Sequence, residues 1–112
     1  MEHTYSTIMT TCTDRQSAKA LAKGLLEERL AACVQILPIE SMYVWKGEIC
    51  NDNEVLLLIK SKTSLFKEIS ATIVKNHSYE VPEIVQIPIT DGLSDYLAWI
   101  EDHVVAQQNG KA

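Results

Sequence analysis

ACVQILPIESMYVWKGEICNDNEVLLLIKSK, residues 32–62, reads as two long strands joined by a turn. ACVQILPIESMYVW (32–45) and EVLLLIKSK (54–62) are rich in the β-branched and aromatic residues that suit a pleated, half-buried surface. Two turn signals lie between them, Lys46-Gly47 and Asn51-Asp52-Asn53, and either closes an antiparallel hairpin. The hairpin is long enough to extend beyond the core of a small domain. It carries Tyr43 and Trp45 outward, where they read as anchors between subunits rather than as a ligand platform.

Ahead of the hairpin, TYSTIMTTC predicts a first strand over about 4–12. Thr13 stands three residues before Gln16, the capping-box spacing that starts a helix. Ala18, Leu21, Ala22, Leu25, Leu26 and Leu30 then recur at spacings of three and four, opposite a face carrying Lys19, Lys23, Glu27 and Glu28. Gly24, inside that helix, suggests close packing against a neighbour. After the hairpin, Leu65, Phe66, Ile69, Ile73 and Val74 predict a second helix over about 64–76, with Thr63 or Ser64 as its cap. EIVQIPI, with Pro82 before it and Pro88 near its end, predicts a final strand, and Leu93, Tyr96, Leu97, Ile100 and Val104 a C-terminal helix before a frayed AQQNGKA tail.

The element order β-α-β-β-α-β with one added helix is that of a ferredoxin-like α+β sandwich built on an antiparallel sheet. Residues 1–112 are expected to form a single domain whose two principal helices cover one face of the sheet. The other face is left bare, so an oligomer is expected to cover both it and the hairpin.

The chain is 46% apolar and carries a net charge of −5 from 15 acidic and 10 basic residues, the latter scattered. That composition argues against a nucleic-acid partner. No apolar run is long enough to span a bilayer, and the N-terminus has no signal-peptide pattern. Cys12, Cys33 and Cys50 form no C-x-x-C pair and read as reduced thiols. A cytoplasmic protein is the expectation.

HSYEVPEIVQIPIT, residues 77–90, is the densest group of potential metal donors, with His77, Tyr79, Glu80 and Glu83 in one short run. Cys12 ends a strand that this fold places beside the final strand, so the thiol joins the candidates for zinc or copper. The plainer alternative is that Asn76 and His77 end the second helix, and that Glu83 pairs with a lysine at a sheet edge. His3 and His103 read as surface residues. Catalysis has less support: there is no nucleophile elbow, phosphate loop or dinucleotide fingerprint, and a Cys12–His77 thiolate pair competes with a simple buried thiol. The chain is not expected to be an enzyme or to need an organic cofactor.

ERLAACVQILPIESMYVWKGEI (28–49), EVLLLIKS (54–61) and HSYEVPEIVQIPITDGLSDYLAWI (77–100) together resemble the CutA family of divalent-cation tolerance proteins, in order and at matching separations. The resemblance implies a ferredoxin-like protomer, a homotrimer in which long hairpins pair with neighbouring subunits, and a role in tolerance of copper and other divalent cations. It also implies an architecture akin to PII signalling trimers, hence the alternative of a signalling or scaffolding protein with a small molecule or protein in its intersubunit clefts. The metal ligands associated with the family fall on Thr10, Asn76 and Glu83. Glu83 is thus matched, whereas Cys12 and His77 stand two places and one place beyond the cysteine and histidine positions. Glu83, His77 and Cys12 are the expected metal residues, with binding weakened or altered by those offsets, and Cu(II) leads because it heads the usual affinity order.

Overall fold

A computed structural model describes residues 3–106 of the chain. Its elements are β1 (Tyr5–Cys12), α1 (Arg15–Glu27), β2 (Cys33–Trp45), β3 (Glu48–Lys62), α2 (Phe66–Asn76), β4 (Ile84–Pro88) and α3 (Ser94–His103). The strands form one sheet in the order β2-β3-β1-β4, with every pairing antiparallel. This is the predicted ferredoxin-like α+β arrangement. The predicted frayed tail, from residue 107 onward, lies outside the described residues.

Alternation along the two central strands places the core. Ser6, Ile8, Thr10 and Cys12 stand opposite Ser61, Ile59, Leu57 and Val55, and all eight are buried. α1 and α2 close over this face with Ala18, Leu21, Leu25, Ile69 and Ile73. The three prolines occupy edges or ends: Pro38 lies in edge strand β2, Pro82 precedes edge strand β4, and Pro88 ends it. A missing N–H does little harm at such places.

Several local readings resolve differently from expectation. α1 is capped by Asp14, whose carboxylate accepts the Ser17 N–H at 2.7 Å, rather than by a Thr13–Gln16 box. A carboxylate is the stronger acceptor at the positive end of a helix. α1 also stops at Glu27, before Leu30. Arg29 turns into the left-handed region (φ 58°), and the N–H groups of Arg29 and Leu30 return to the carbonyls of Leu26 and Leu25 at 3.0 and 2.9 Å. That double bond closes the helix end and delivers Leu30 to the core, with arginine where glycine is usual. Gly24 has no close neighbour, since an added Cβ would meet nothing within 4 Å. The start of α2 lacks a side-chain cap because a short 3₁₀ turn (Thr63–Leu65) precedes it, and the Thr63 hydroxyl instead bonds that of Ser6 at 2.6 Å.

The hairpin turns at Lys46-Gly47, where both residues have positive φ (51° and 81°). Two such residues between Trp45 and Glu48 give the tight turn whose twist matches paired strands. Asn51, Asp52 and Asn53 therefore continue β3, opposite Met42, Ser41 and Glu40.

The second face of the sheet is partly covered by α3. Glu101 accepts hydrogen bonds from Tyr5 and Lys62, both at 2.9 Å, and Ile100 is fully buried. Beyond α3 this face leaves Leu37, Val85 and Ile87 exposed, and the hairpin end leaves Met42, Val44 and Ile49 each at least 70% exposed.

Candidate functional site

α2 ends at Asn76, and His77 leaves it with extended backbone, so residues 77–83 cross from the helix to β4 without regular structure of their own. The His77 ring settles between elements. Its Nε2 donates to the Thr11 carbonyl at the end of β1 at 2.5 Å, and its Nδ1 accepts the Tyr79 N–H at 3.1 Å. A neutral imidazole has one donor and one acceptor, so these contacts define the Nε2-protonated tautomer and use both nitrogens.

Tyr79 extends the arrangement to β3. Its ring lies 4.6 Å from that of His77, tilted by 55°, and its hydroxyl donates to Glu54 Oε2 at 2.5 Å. Burial, helped by that carboxylate, holds the phenol well above its ordinary pKa, so it remains a donor. A similar bond runs from Tyr43 to Asp52 across the hairpin and pushes the Tyr43 phenol up to about 12, with desolvation adding to it.

These elements enclose an open cleft of about 810 Å³. Residues 78–83 supply one wall, including Tyr79, Glu80 and Glu83, while the hairpin supplies the other with Glu40, Tyr43, Trp45 and Glu54. Thr11 reaches it from β1. Glu83 is thus an exposed carboxylate on a cleft wall that faces other carboxylates.

Cys12 lies elsewhere. It is buried in the core opposite Val55, and burial, together with the charges of Asp14 and Glu54, raises its pKa and keeps it a thiol. It is Thr11, one residue earlier, that lines the cleft with Glu83. The structure therefore does not gather Glu83, His77 and Cys12 into one group. Among the described residues no set of three or more His, Cys, Asp or Glu side chains is arranged to hold a metal ion. Thr10, at the position where the family resemblance puts a cysteine, is fully buried, and its hydroxyl lacks a hydrogen-bond partner. His103, exposed as expected, bonds the Trp99 carbonyl at 2.8 Å.

Sequence reading passed over Glu54 and the Thr11 carbonyl as parts of the site. Glu54 carried no signal beyond opening a strand-like run, and a backbone carbonyl carries none at all.

The family model described as "CutA1 divalent ion tolerance protein" matches residues 6–103. The chain belongs to the CutA family. Divalent-cation tolerance protein CutA of Thermus thermophilus is 42% identical to it over 86% of this chain and 94% of that relative. Protein CutA, chloroplastic, of Arabidopsis thaliana is 42% identical over 85% of this chain, which spans only 53% of that longer relative. The solved periplasmic divalent cation tolerance protein CutA from Archaeoglobus fulgidus superposes with a TM-score of 0.89 at 38% identity, covering 90% of this chain and 99% of that one. CutA relatives are thus described in more than one compartment, and no helix among the described residues of this chain is long and apolar enough to cross a membrane.

Proposed function

We propose that this CutA protein binds divalent cations, copper(II) foremost, as a homotrimer acting in metal homeostasis, with the ion as cargo rather than as a catalytic cofactor. The observation that carries this reading is Glu83, an exposed carboxylate on a cleft also lined by Glu40, Glu54 and Glu80. Hard oxygen donors draw any divalent cation, and a nitrogen donor tilts the preference toward copper. His77 adjoins the cleft wall and is the nitrogen donor, available once its present hydrogen bonds are released. Cys12 is the most remote of the three, and its ligation requires both loss of its proton and movement out of the core. The free thiols of Cys12, Cys33 and Cys50 suit a reducing, cytoplasmic setting.

Calorimetric titration of the metal-free protein with Cu²⁺, beside a Glu83→Ala, His77→Ala variant whose oligomeric state is checked, tests the assignment. Saturable binding near one ion per protomer, lost in the variant while assembly persists, is expected. Binding that is unchanged in the variant removes the site.

A second reading, a PII-like signalling or scaffolding trimer, is favoured by the size and lining of the cleft. About 810 Å³ walled by Tyr43, Trp45 and Tyr79 falls within the range of small-molecule pockets. A ligand that copurifies and stays bound after chelation of metals supports it.

A further inference from the structure

We propose that His77 and Tyr79 form a clasp holding residues 77–83 closed as one wall of the cleft, and that a divalent cation taking His77 as a ligand opens it. The second half rests on the reading of His77 as the nitrogen donor. The clasp has three hooks: His77 to the Thr11 carbonyl on β1, the Tyr79 N–H to His77, and the Tyr79 hydroxyl to Glu54 on β3. The segment they hold lies between the end of α2 at Asn76 and the start of β4 at Ile84, so it can move without breaking a helix or a strand ladder.

Ligation and closure exclude each other at the imidazole. A metal needs a ring lone pair, and the closed state has none to offer: Nδ1 spends its pair on the Tyr79 N–H, while Nε2 carries the proton given to Thr11. A cation at Nδ1 displaces the Tyr79 amide, and one at Nε2 displaces the ring proton to solvent and must push the ring away from the Thr11 oxygen, because the 2.5 Å between them leaves no room for an ion. Either way one hook is lost, and the Tyr79 ring, seated 4.6 Å from that of His77, loses its support. Loss of the third hook would leave Glu54 without its phenol, on the same cleft as Glu83. His77 is therefore a positioning residue in the closed state and a ligand only in the open one. Occupancy of the site and the shape of the cleft wall are coupled.

Hydrogen–deuterium exchange of the full-length assembled protein, read by mass spectrometry with and without saturating Cu²⁺, tests this beside calorimetry on wild type, His77→Ala and Tyr79→Phe. Cu²⁺ is expected to speed exchange across residues 78–83 by about tenfold, the scale of one lost hydrogen bond, to the rate of metal-free His77→Ala. Tyr79→Phe keeps the ring and drops only the Glu54 hook, so its metal-free rate should be intermediate. His77-dependent binding with no acceleration overturns the coupling and leaves the cation site standing. Binding that is absent or independent of His77 overturns the donor assignment and the coupling together. Metal-free variants that exchange like wild type overturn the clasp itself.

Discussion

Replacing Gly24 by alanine is expected to stabilise the protein by about 0.5–1 kcal/mol, because glycine in a helix interior carries an entropic cost that alanine avoids. Nothing within 4 Å opposes the added methyl group. Denaturant titration at fixed protein concentration reads the change, and a destabilised variant would reveal a contact made only on assembly. Cys12 makes the opposite point, since its surroundings decide its chemistry. Burial first, and the charges of Asp14 and Glu54 next, raise the pKa of the thiol above its unfolded value. The fold thus favours the protonated form, so its contribution to stability is fully present below the ordinary cysteine range of about 8.5 and erodes as pH rises through the folded value. Alkylation of Cys12 at neutral pH should track global unfolding, and rapid labelling of the native protein would contradict that. Both residues were visible in the sequence, but their neighbours were not. The same limit applied at the cluster from His77 to Glu83, which local density made conspicuous. What occupies the His77 ring lies 66 residues away at Thr11, and what holds Tyr79 lies 25 residues away at Glu54.

At the scale of elements, periodicity located every strand and helix, while their ends depended on backbone geometry that side-chain patterns do not encode. Leu30 fits the apolar stripe of α1, yet it reaches the core through a left-handed turn at Arg29 rather than through another helical turn. The hairpin posed a sharper ambiguity, because Asn51-Asp52-Asn53 has turn-forming residues and Lys46-Gly47 has only one strong one. The two-residue turn prevails because it lets thirteen residues of β2 pair through to Trp45, and Asp52 then serves as the acceptor for Tyr43. This assigns opposite effects to neighbouring substitutions. Gly47→Ala forces a Cβ into positive φ and should destabilise by about 1–2 kcal/mol. Lys46→Asn puts a residue that tolerates the left-handed region at φ 51° and should raise the melting temperature slightly. Thermal unfolding of the pair checks both signs, and a loss from Lys46→Asn would mean that the lysine's contact with the Trp45 ring, 5.8 Å from its ammonium, outweighs its backbone strain.

At the scale of the whole molecule, the protomer leaves large apolar side chains in water at the hairpin and on the sheet face that α3 covers only in part. Val44 and Ile49, paired near the hairpin turn, are 73% and 76% exposed on the side of the sheet that α1 and α2 cover farther along, whereas Trp45, at 41%, and Leu37, Val85 and Ile87 are exposed on the opposite side, which α3 leaves partly open. Large apolar side chains exposed on both sides of a projecting hairpin suit burial against further copies. Both sheet edges, β2 and β4, also present backbone groups that a second copy can pair with. Three copies arranged about an axis would cover the hairpin of each with the open face and edge of the next, the closed symmetric use of one repeated contact. The expectation is a homotrimer by sedimentation equilibrium at about 10 µM, with a melting temperature that rises with protein concentration. Trp45→Asp places a charge among apolar groups that the contact desolvates, so it should cost about 2 kcal/mol or more per subunit and shift the population toward monomer. Far-ultraviolet circular dichroism should persist in that monomer, because Trp45 lies outside the core formed by β1, β3 and the two covering helices. A wild-type protein that sediments as a monomer at this concentration would remove the trimer and, with it, any cleft completed by a neighbouring subunit; a Trp45→Asp variant that stays trimeric would move the contact away from the hairpin and onto the sheet face.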